Sequence, residues 1–206
     1  MRQVSQPLRS RQAIQSEAWW RDIVSGFDRN ILLAAALLFI SHLSHPCFTS
    51  FAVLYAKELG ISHFGWFFIV IGTTSVLGRP LLGRVSDKIG CGRSLIATFV
   101  LESLALLMLP FVPNLLGMMV SGTLYFLGSA IGSARILAFA MEKAPVERRG
   151  RAMASFSISF PLSTGAGALL NGLAVDLVGY AWMYVIAALL CASGLVLTAR
   201  HWSSLK

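Results

Sequence analysis

The sequence is poor in charged residues, which are only 13% of its 206 residues, whereas a soluble domain has about 25%. Hydrophobic residues make up 56% of the chain, and the mean hydropathy is +0.71. A surface that faces water cannot hold so large an apolar excess. The composition therefore excludes an ordinary soluble domain and predicts an integral membrane protein whose surroundings are a lipid bilayer.

Metal-binding and catalytic residue patterns are also missing. The three cysteines, Cys47, Cys91 and Cys191, are far apart and odd in number, so they form neither a disulfide framework nor a Cys-x-x-Cys motif. The four histidines are too few for a histidine-rich diiron centre. No grouping of a nucleophile with a base is apparent. The sequence therefore predicts a protein that is not an enzyme and has no metal and no cofactor.

The formal net charge of +8 could suggest nucleic acid as a partner. A nucleic-acid binder groups its basic residues on a folded polar face, but here they lie in short breaks between apolar runs. We therefore expect no nucleic-acid binding. The first apolar run begins near Ile31, behind a long polar lead, and is too long for the apolar part of a signal peptide. No signal peptide is expected.

Six runs are long and apolar enough to cross a bilayer, which takes about 20 residues as a helix. These predicted spans are Ile31–Tyr55, Phe64–Leu82, Ser94–Phe111, Leu115–Met141, Ala152–Leu173 and Ala181–Ala199. Gly60, after the first run, is expected to stop that helix. The predicted fold class is an all-α membrane protein, with a six-helix transmembrane domain at residues 31–200 and a cytoplasmic tail at residues 201–206.

Lysine and arginine are concentrated in alternate breaks. The basic residues assigned to one face are Arg2, Arg9, Arg11, Arg21, Arg29, Arg84, Lys88, Arg93, Lys143, Arg148, Arg149, Arg151, Arg200 and Lys206. The opposite face has Lys57 alone. Cytoplasmic loops carry the excess of Lys and Arg, so both termini are predicted to be cytoplasmic and the span count even.

The lead, residues 1–30, has aromatic and aliphatic residues at helical spacing between charged ones. They are Trp19, Trp20, Ile23, Val24 and Phe27. This pattern favours a short amphipathic helix lying in the headgroup region. The alternative is a flexible tail in which the aromatic residues occur by chance.

Two cytoplasmic breaks carry motifs. The break after the second span contains Gly83, Arg84, Asp87, Lys88, Gly90 and Arg93. It resembles the G-x-x-x-D-[R/K]-x-G-[R/K] signature of the major facilitator superfamily, although Arg93 comes two positions later than the usual basic residue. The break after the fourth span contains Glu142, Pro145, Arg149, Gly150 and Arg151. It resembles the acidic–proline–RGR loop before that family's eleventh helix.

The resemblance covers nearly the whole chain from Asp28 onward. It implies one half of a twelve-helix fold whose two six-helix halves are related by an axis along the membrane normal, and it is greatest to the second half. It also implies transport of a small-molecule substrate, in the manner of proton-coupled drug or metabolite exporters (antiporters) of the cell inner membrane. In the family, an aspartate placed like Asp87 acts as a latch against the other half. The alternative is a solvated turn residue.

Polar residues inside the spans are candidates for transport, because charge within a bilayer is costly. Glu102 is either a proton carrier or a structural tie to a neighbouring helix. His42 and His45 share a helical face beside Pro46 and could line a cavity and couple protons, or form interhelical hydrogen bonds. Arg135 could bind an anionic group or snorkel to the interface.

Further candidates for cavity lining come from the fourth and fifth predicted spans. Rough helical phasing places Tyr125 and Ser129 on the same cavity-facing side as Arg135. Ser159 belongs to a stripe of small residues, Ser155, Ser159, Ser163 and Gly167, which either packs closely against another helix or lines a cavity.

Three functional hypotheses follow. The first is a transporter, or half of one, that works by alternating access as a homodimer or with a separate N-terminal six-helix half. The second is a truncated product or a non-transporting assembly partner. The third, a membrane enzyme, lacks a candidate site. Substrate, transport direction and coupling ion are not determined by the sequence.

Overall fold

The computed structural model describes residues 29–143 and 149–202. The predicted amphipathic lead before residue 29, Pro145 in the second motif and the last four residues of the tail lie outside the described residues. Every regular element within the described ranges is helical.

The first span is built from three consecutive elements, the α-helix Arg29–Leu43, the π-helical turn Cys47–Phe51 and the α-helix Ala52–Glu58. The second, third and fourth spans are the helices Gly65–Ile89, Cys91–Phe111 and Leu115–Lys143. A last helical element runs over Arg149–Arg200. Within residues 29–143 and 149–202, five helices are long and apolar enough to cross a membrane, among them the segment Ser157–Arg200.

That last segment is two spans. Its 44 residues would extend about 66 Å as one helix, twice the roughly 30 Å thickness of the hydrocarbon core. Gly179 interrupts it with φ 80° and ψ 172°. Leu170 and Leu190 line one small cavity, although twenty residues of straight helix would separate them by about 30 Å. Residues 149–178 and 180–200 therefore form an antiparallel hairpin, the fifth and sixth spans.

The turn after the first span confirms the prediction for Gly60. Gly60 has φ 67°, and its N–H bonds to the carbonyl of Lys57 at 3.1 Å. The N–H of Ile61 bonds to the carbonyl of Ala56 at 2.9 Å. These two bonds form a Schellman motif, which glycine accommodates because it can adopt positive φ.

The break after the second span is shorter than predicted. The second helix continues through Gly83 and Asp87 to Ile89, and the third begins at Cys91, so the prediction of a loop across the first motif was wrong. Gly90 alone makes the reversal, with φ 90° and ψ 161°. Ser86 and Ser94 close the turn, because their hydroxyl groups bond to each other at 3.1 Å.

The interior of the bundle is aromatic and aliphatic, and its outer surface is strongly apolar. Tyr125, Tyr184 and Phe99 are fully buried, whereas Leu177 is 82% exposed and Phe111 is 79% exposed. Burial differs sharply between spans. Only 18% of the most apolar stretch of the second span is buried, whereas 56% of the corresponding stretch of the first span is buried. The second span is therefore largely uncovered by the rest of the described chain.

Candidate functional site

The first span is broken near its middle. Pro46 has no N–H to bond to the carbonyl of His42, and the N–H of Cys47 bonds to the carbonyl of Ser44 at 3.0 Å instead of to that of Leu43. The π-helical turn Cys47–Phe51 follows directly. Such turns occur frequently at functional sites. The break releases backbone carbonyls that need partners inside an apolar bilayer.

Side chains from three other spans bond to backbone carbonyls of this segment. Asn171 of the fifth span donates its amide to the carbonyl of Leu43 at 3.2 Å. The hydroxyl of Tyr184, in the sixth span, donates to the carbonyl of Cys47 at 3.1 Å. The hydroxyl of Tyr125, in the fourth, donates to the carbonyl of Ser41 at 3.3 Å. The broken segment is therefore fixed on several sides.

Glu102 lies in the bundle interior and not on the cavity described below. It is fully buried. The hydroxyl of Ser41 donates to one of its carboxyl oxygens at 2.7 Å, and the thiol of Cys191 donates to the other at 3.3 Å. Glu102 thus joins the first, third and sixth spans. Both alternatives for Glu102, a structural tie and a proton carrier, remain predictions.

A cavity of about 180 Å³ lies between the first, second, fourth and fifth spans. The described residues that line it are Leu38, His42, His45, Ser75, Phe126, Ser129, Ala130, Ser133 and Phe160. Its polar surface therefore consists of two imidazoles and three serine hydroxyl groups. The structure brings together His42, His45 and Ser129 from the predicted candidates.

Other predicted candidates lie elsewhere. Tyr125 is fully buried and stacks on Phe48 with ring centroids 4.5 Å apart. Ser159 does not line the cavity, although its neighbour Phe160 does. Ser163 and Asn171, which continue the stripe of small residues, are buried at 0% and 5% exposure. A Cβ added to Gly167 would meet the backbone carbonyl of Leu43. Gly167 therefore lies directly against the backbone of the first span.

Sequence reasoning missed six lining residues, Leu38, Ser75, Phe126, Ala130, Ser133 and Phe160. A signal was available for two of them, because Phe126, Ser129 and Ser133 are spaced three and four residues apart and so share one helical face. The orientation of the second and fifth spans depends on packing between helices. No local signal identifies Ser75 or Phe160.

The two histidines are held in defined positions. Their ring centroids are 6.1 Å apart with an interplanar angle of 18°. Nδ1 of His42 lies 3.1 Å from the carbonyl of Leu38. A carbonyl can only accept, so Nδ1 carries the proton, and Nε2 is the nitrogen that gains one on titration. Nδ1 of His45 is buried and has no hydrogen-bond partner among the described residues.

Arg135 forms an ion pair within its own helix. One guanidinium nitrogen lies 3.6 Å from a carboxyl oxygen of Glu142, and the Arg135 side chain is 16% exposed. The two residues are seven positions apart, or two helical turns. Glu142 of the second motif is therefore one ionic partner of Arg135.

The remaining motif residues are described in part. Lys88 is exposed, and Arg93 is exposed on the first turn of the third span. Gly150 is exposed at the start of the fifth span. The side chains of Arg84, Asp87, Arg149 and Arg151 lie outside the description, so the predicted latch is not tested. Among the described residues, no group of three or more potential metal ligands occurs.

A family model described as the Major Facilitator Superfamily matches residues 23–202. The chain belongs to the major facilitator superfamily. That assignment agrees with the resemblance in the two cytoplasmic motifs and with the helical, apolar architecture. It makes the chain an integral membrane protein of a family of transporters.

Two known members of the superfamily fold are similar to this chain. An uncharacterized MFS-type transporter of Methanocaldococcus jannaschii is 28% identical over 142 residues, which is 68% of this chain and 36% of that protein. The crystal structure of a peptide transporter in complex with alafosfalin superposes with a TM-score of 0.75 at 17% identity, covering 85% of this chain and 38% of that chain. The chain therefore spans little more than a third of the length of either superfamily protein.

Proposed function

We propose that this chain is one six-helix unit of a secondary transporter that moves a small solute by alternating access. The observation that carries the proposal is the cavity between the first, second, fourth and fifth spans, which has a polar, titratable lining. Polar groups are costly in hydrocarbon unless they face a partner or a water-filled space. A solute cavity explains why these spans keep histidine and serine together at this place.

The proposed unit works with a second one. The second span, which borders the cavity, is the least buried. A Cβ added to Gly72 in the second span or to Gly165 in the fifth would meet no atom within 4 Å. Small residues let helices of a partner approach closely. A second copy or a separate N-terminal six-helix half would cover these faces, and alternating access needs two units around one site.

The histidine pair is proposed to couple transport to protons. Histidine is the side chain whose charge changes most readily near neutral pH, and both rings line the cavity. Both termini are proposed to be cytoplasmic, in a cell inner membrane, because Lys and Arg are concentrated on the face of the termini.

The two cytoplasmic motifs are proposed to control the access state. In this proposal Asp87 and the basic residues around it form contacts with the partner unit in one state and release them in the other. A ligand or proton shifts such an equilibrium only when it interacts differently with the two states. The charge of Asp87 provides such a difference.

An assembly partner without transport of its own is the second candidate. The observation that favours it is the network around the break, in which Asn171, Tyr184 and Tyr125 donate to backbone carbonyls of the first span. A six-helix unit whose buried carbonyls have such hydrogen-bond donors can be stable without changing its conformation. The two candidate functions differ in one respect. Transport depends on the histidine pair, and assembly does not.

Reconstitution of the chain into vesicles tests the proposal. Vesicles that contain the chain alone, and vesicles that also contain a candidate six-helix partner, receive a pH gradient and a panel of labelled solutes. We expect gradient-driven flux that is lost in His42→Gln and His45→Gln and retained in His63→Gln, a histidine of the turn after the first span. Flux from a species that is strictly monomeric by mass in mild detergent would contradict the two-unit requirement. If no flux occurs with any partner, the assembly role is favoured.

A further inference from the structure

The charge of the cavity lining indicates what it can bind. The described lining residues include two histidines and no aspartate or glutamate. A cationic solute would therefore find no opposite charge on this wall of the cavity. A solute with a negative group would find two imidazoles that can become positive and three hydroxyl groups that can donate hydrogen bonds.

The groups on every neighbouring element support this reading. The second span contributes Ser75, the fourth contributes Phe126, Ser129 and Ser133, and the fifth contributes Phe160. Two described acids of the bundle, Glu102 and Glu142, have partners elsewhere. Glu102 lies against Ser41 and Cys191, and Glu142 lies against Arg135. No described carboxylate lining the cavity competes with a bound anion for the imidazoles.

The two imidazoles are close enough to titrate together. With ring centroids 6.1 Å apart, a proton on one ring disfavours a proton on the other, so the pair gains its protons in separate steps. One positive charge is therefore the first available state. On His42 the nitrogen that can gain a proton is Nε2, since Nδ1 already donates to the carbonyl of Leu38.

Two phenyl rings form an apolar wall next to the imidazoles. The ring centroid of Phe160 lies 4.8 Å from that of His42, in an edge-to-face arrangement. The centroid of Phe126 lies 5.8 Å from that of His45. Phe160 is 43% exposed, which leaves ring surface for a ligand. Aromatic rings favour edge-to-face or offset contacts with a further ring.

We propose that this cavity binds an organic monoanion, a carboxylate with an apolar or aromatic body, together with one proton on the His42–His45 pair. The carboxylate accepts hydrogen bonds from the protonated imidazole and the serines, and its body lies on Phe126 and Phe160. Cavities for drug-sized ligands are about 300–1,000 Å³, so a volume of about 180 Å³ suits a one-ring acid or one half of a shared site. This inference rests on the proposed function for its biological meaning, but binding can be measured without transport.

The test uses the full chain in lipid nanodiscs, labelled with ¹⁵N on histidine. Benzoate is the probe, and benzyl alcohol and benzylammonium are its neutral and cationic counterparts. Solid-state ¹⁵N spectra report the protonation of the four histidines, which single His→Gln variants assign. We expect benzoate to shift the signals of His42 and His45 saturably and to leave His63 and His201 unchanged.

The pH dependence has a definite sign. Binding needs the protonated pair, so benzoate affinity should fall by about tenfold for each pH unit above the titration range of the pair. His42→Gln should lose benzoate binding by tenfold or more, whereas His63→Gln should match the parent chain. Wild-type spectra with the three probes decide the matter even if a variant does not fold.

The inference is overturned if benzyl alcohol or benzylammonium perturbs the pair as strongly as benzoate, or if benzoate affects neither ring. The result also separates the two proposals. Benzoate binding in vesicles that show no flux would leave the anion site standing and contradict transport. Flux of other solutes without any benzoate response would leave transport standing and contradict the anion site.

Discussion

The side-chain amide of Asn171 donates a hydrogen bond to the backbone carbonyl of Leu43 at 3.2 Å. The bond joins the fifth span to the first at the carbonyl released by the break at Pro46. Both residues lie at membrane depth, where water cannot replace the partner. The bond therefore links the conformation of the first span to the position of the fifth.

Replacement of Asn171 measures how much this hydrogen bond contributes to stability. We expect Asn171→Ala to lower the free energy of unfolding by about 1–3 kcal/mol, because a buried carbonyl loses its partner. Thr73→Ala is the matched control, since the exposed Thr73 hydroxyl bonds only within its own helix, to Ile69 and Val70. Unfolding by denaturant in mild detergent measures both. Equal stability of the two variants would mean that the carbonyl of Leu43 finds another partner.

Two glycines of the fifth span should respond in opposite ways to the same substitution. A Cβ on Gly167 would overlap the carbonyl of Leu43, so Gly167→Ala should push the first and fifth spans apart and destabilise the fold. A Cβ on Gly165 would meet no atom within 4 Å. In the chain without its partner unit, Gly165→Ala should be neutral or stabilise the helix by about 0.5–1 kcal/mol. Thermal unfolding of the two variants tests whether the first and fifth spans approach closely at Gly167. Similar melting temperatures of the two variants would argue against that close approach.

Substitutions of Glu102 distinguish a structural tie from a proton carrier. Glu102→Gln keeps the size of the side chain and an oxygen that accepts from Ser41, so a tie predicts near-normal stability and flux. Glu102→Ala should cost about 1–3 kcal/mol, because the donor groups of Ser41 and Cys191 lose their acceptor. Stability and vesicle flux are measured for both. Normal folding with complete loss of coupled flux in Glu102→Gln would instead identify a proton carrier.

Cysteine labelling can test the predicted topology in the natural background, since Cys47, Cys91 and Cys191 are all buried. Ser62 lies in the turn after the first span, and Lys88 lies near the turn after the second. We expect Ser62→Cys to react with an impermeant maleimide applied to intact cells. Lys88→Cys should react only after permeabilisation, because basic residues mark the cytoplasmic face. The opposite pattern would invert the topology.

Removing the charge of Asp87 tests the proposed latch. Asp87→Asn should leave insertion and folding intact and lower flux through the assembled transporter, because the charge biases one access state. Lys57→Gln on the opposite face is a control for a general effect of surface charge. Unchanged flux in Asp87→Asn would remove the latch role and leave a solvated residue near the helix end.

Local signals predicted much of the architecture. Long apolar runs located the spans, and Gly60 was identified as a helix stop because a Schellman turn needs only a few neighbouring residues. The first motif misled the prediction of its break. Two glycines suggested a loop, but Gly83 lies inside a helix because a helix tolerates one glycine at a cost of about 1 kcal/mol. Gly90 reverses the chain by itself.

The candidate site was predicted only in part. His42, His45 and Ser129 line the cavity together with residues that the sequence did not suggest, among them Ser75 and Phe160. Hydrophobic periodicity indicates little about the rotation of a membrane helix, since lipid and protein interior are equally apolar. The face of each span that turns inward is decided by its neighbours.

The sequence by itself determined that the chain lies in a membrane, how many times it crosses and which ends carry the positive charge. Those properties depend on runs of about 20 residues and on loop charges, which are local. Only the tertiary structure decided that Glu102 meets Ser41 and Cys191, which are 61 and 89 positions away along the chain. The break at Pro46 leaves carbonyls without helical partners, and close packing of six helices selects which distant side chains can reach them.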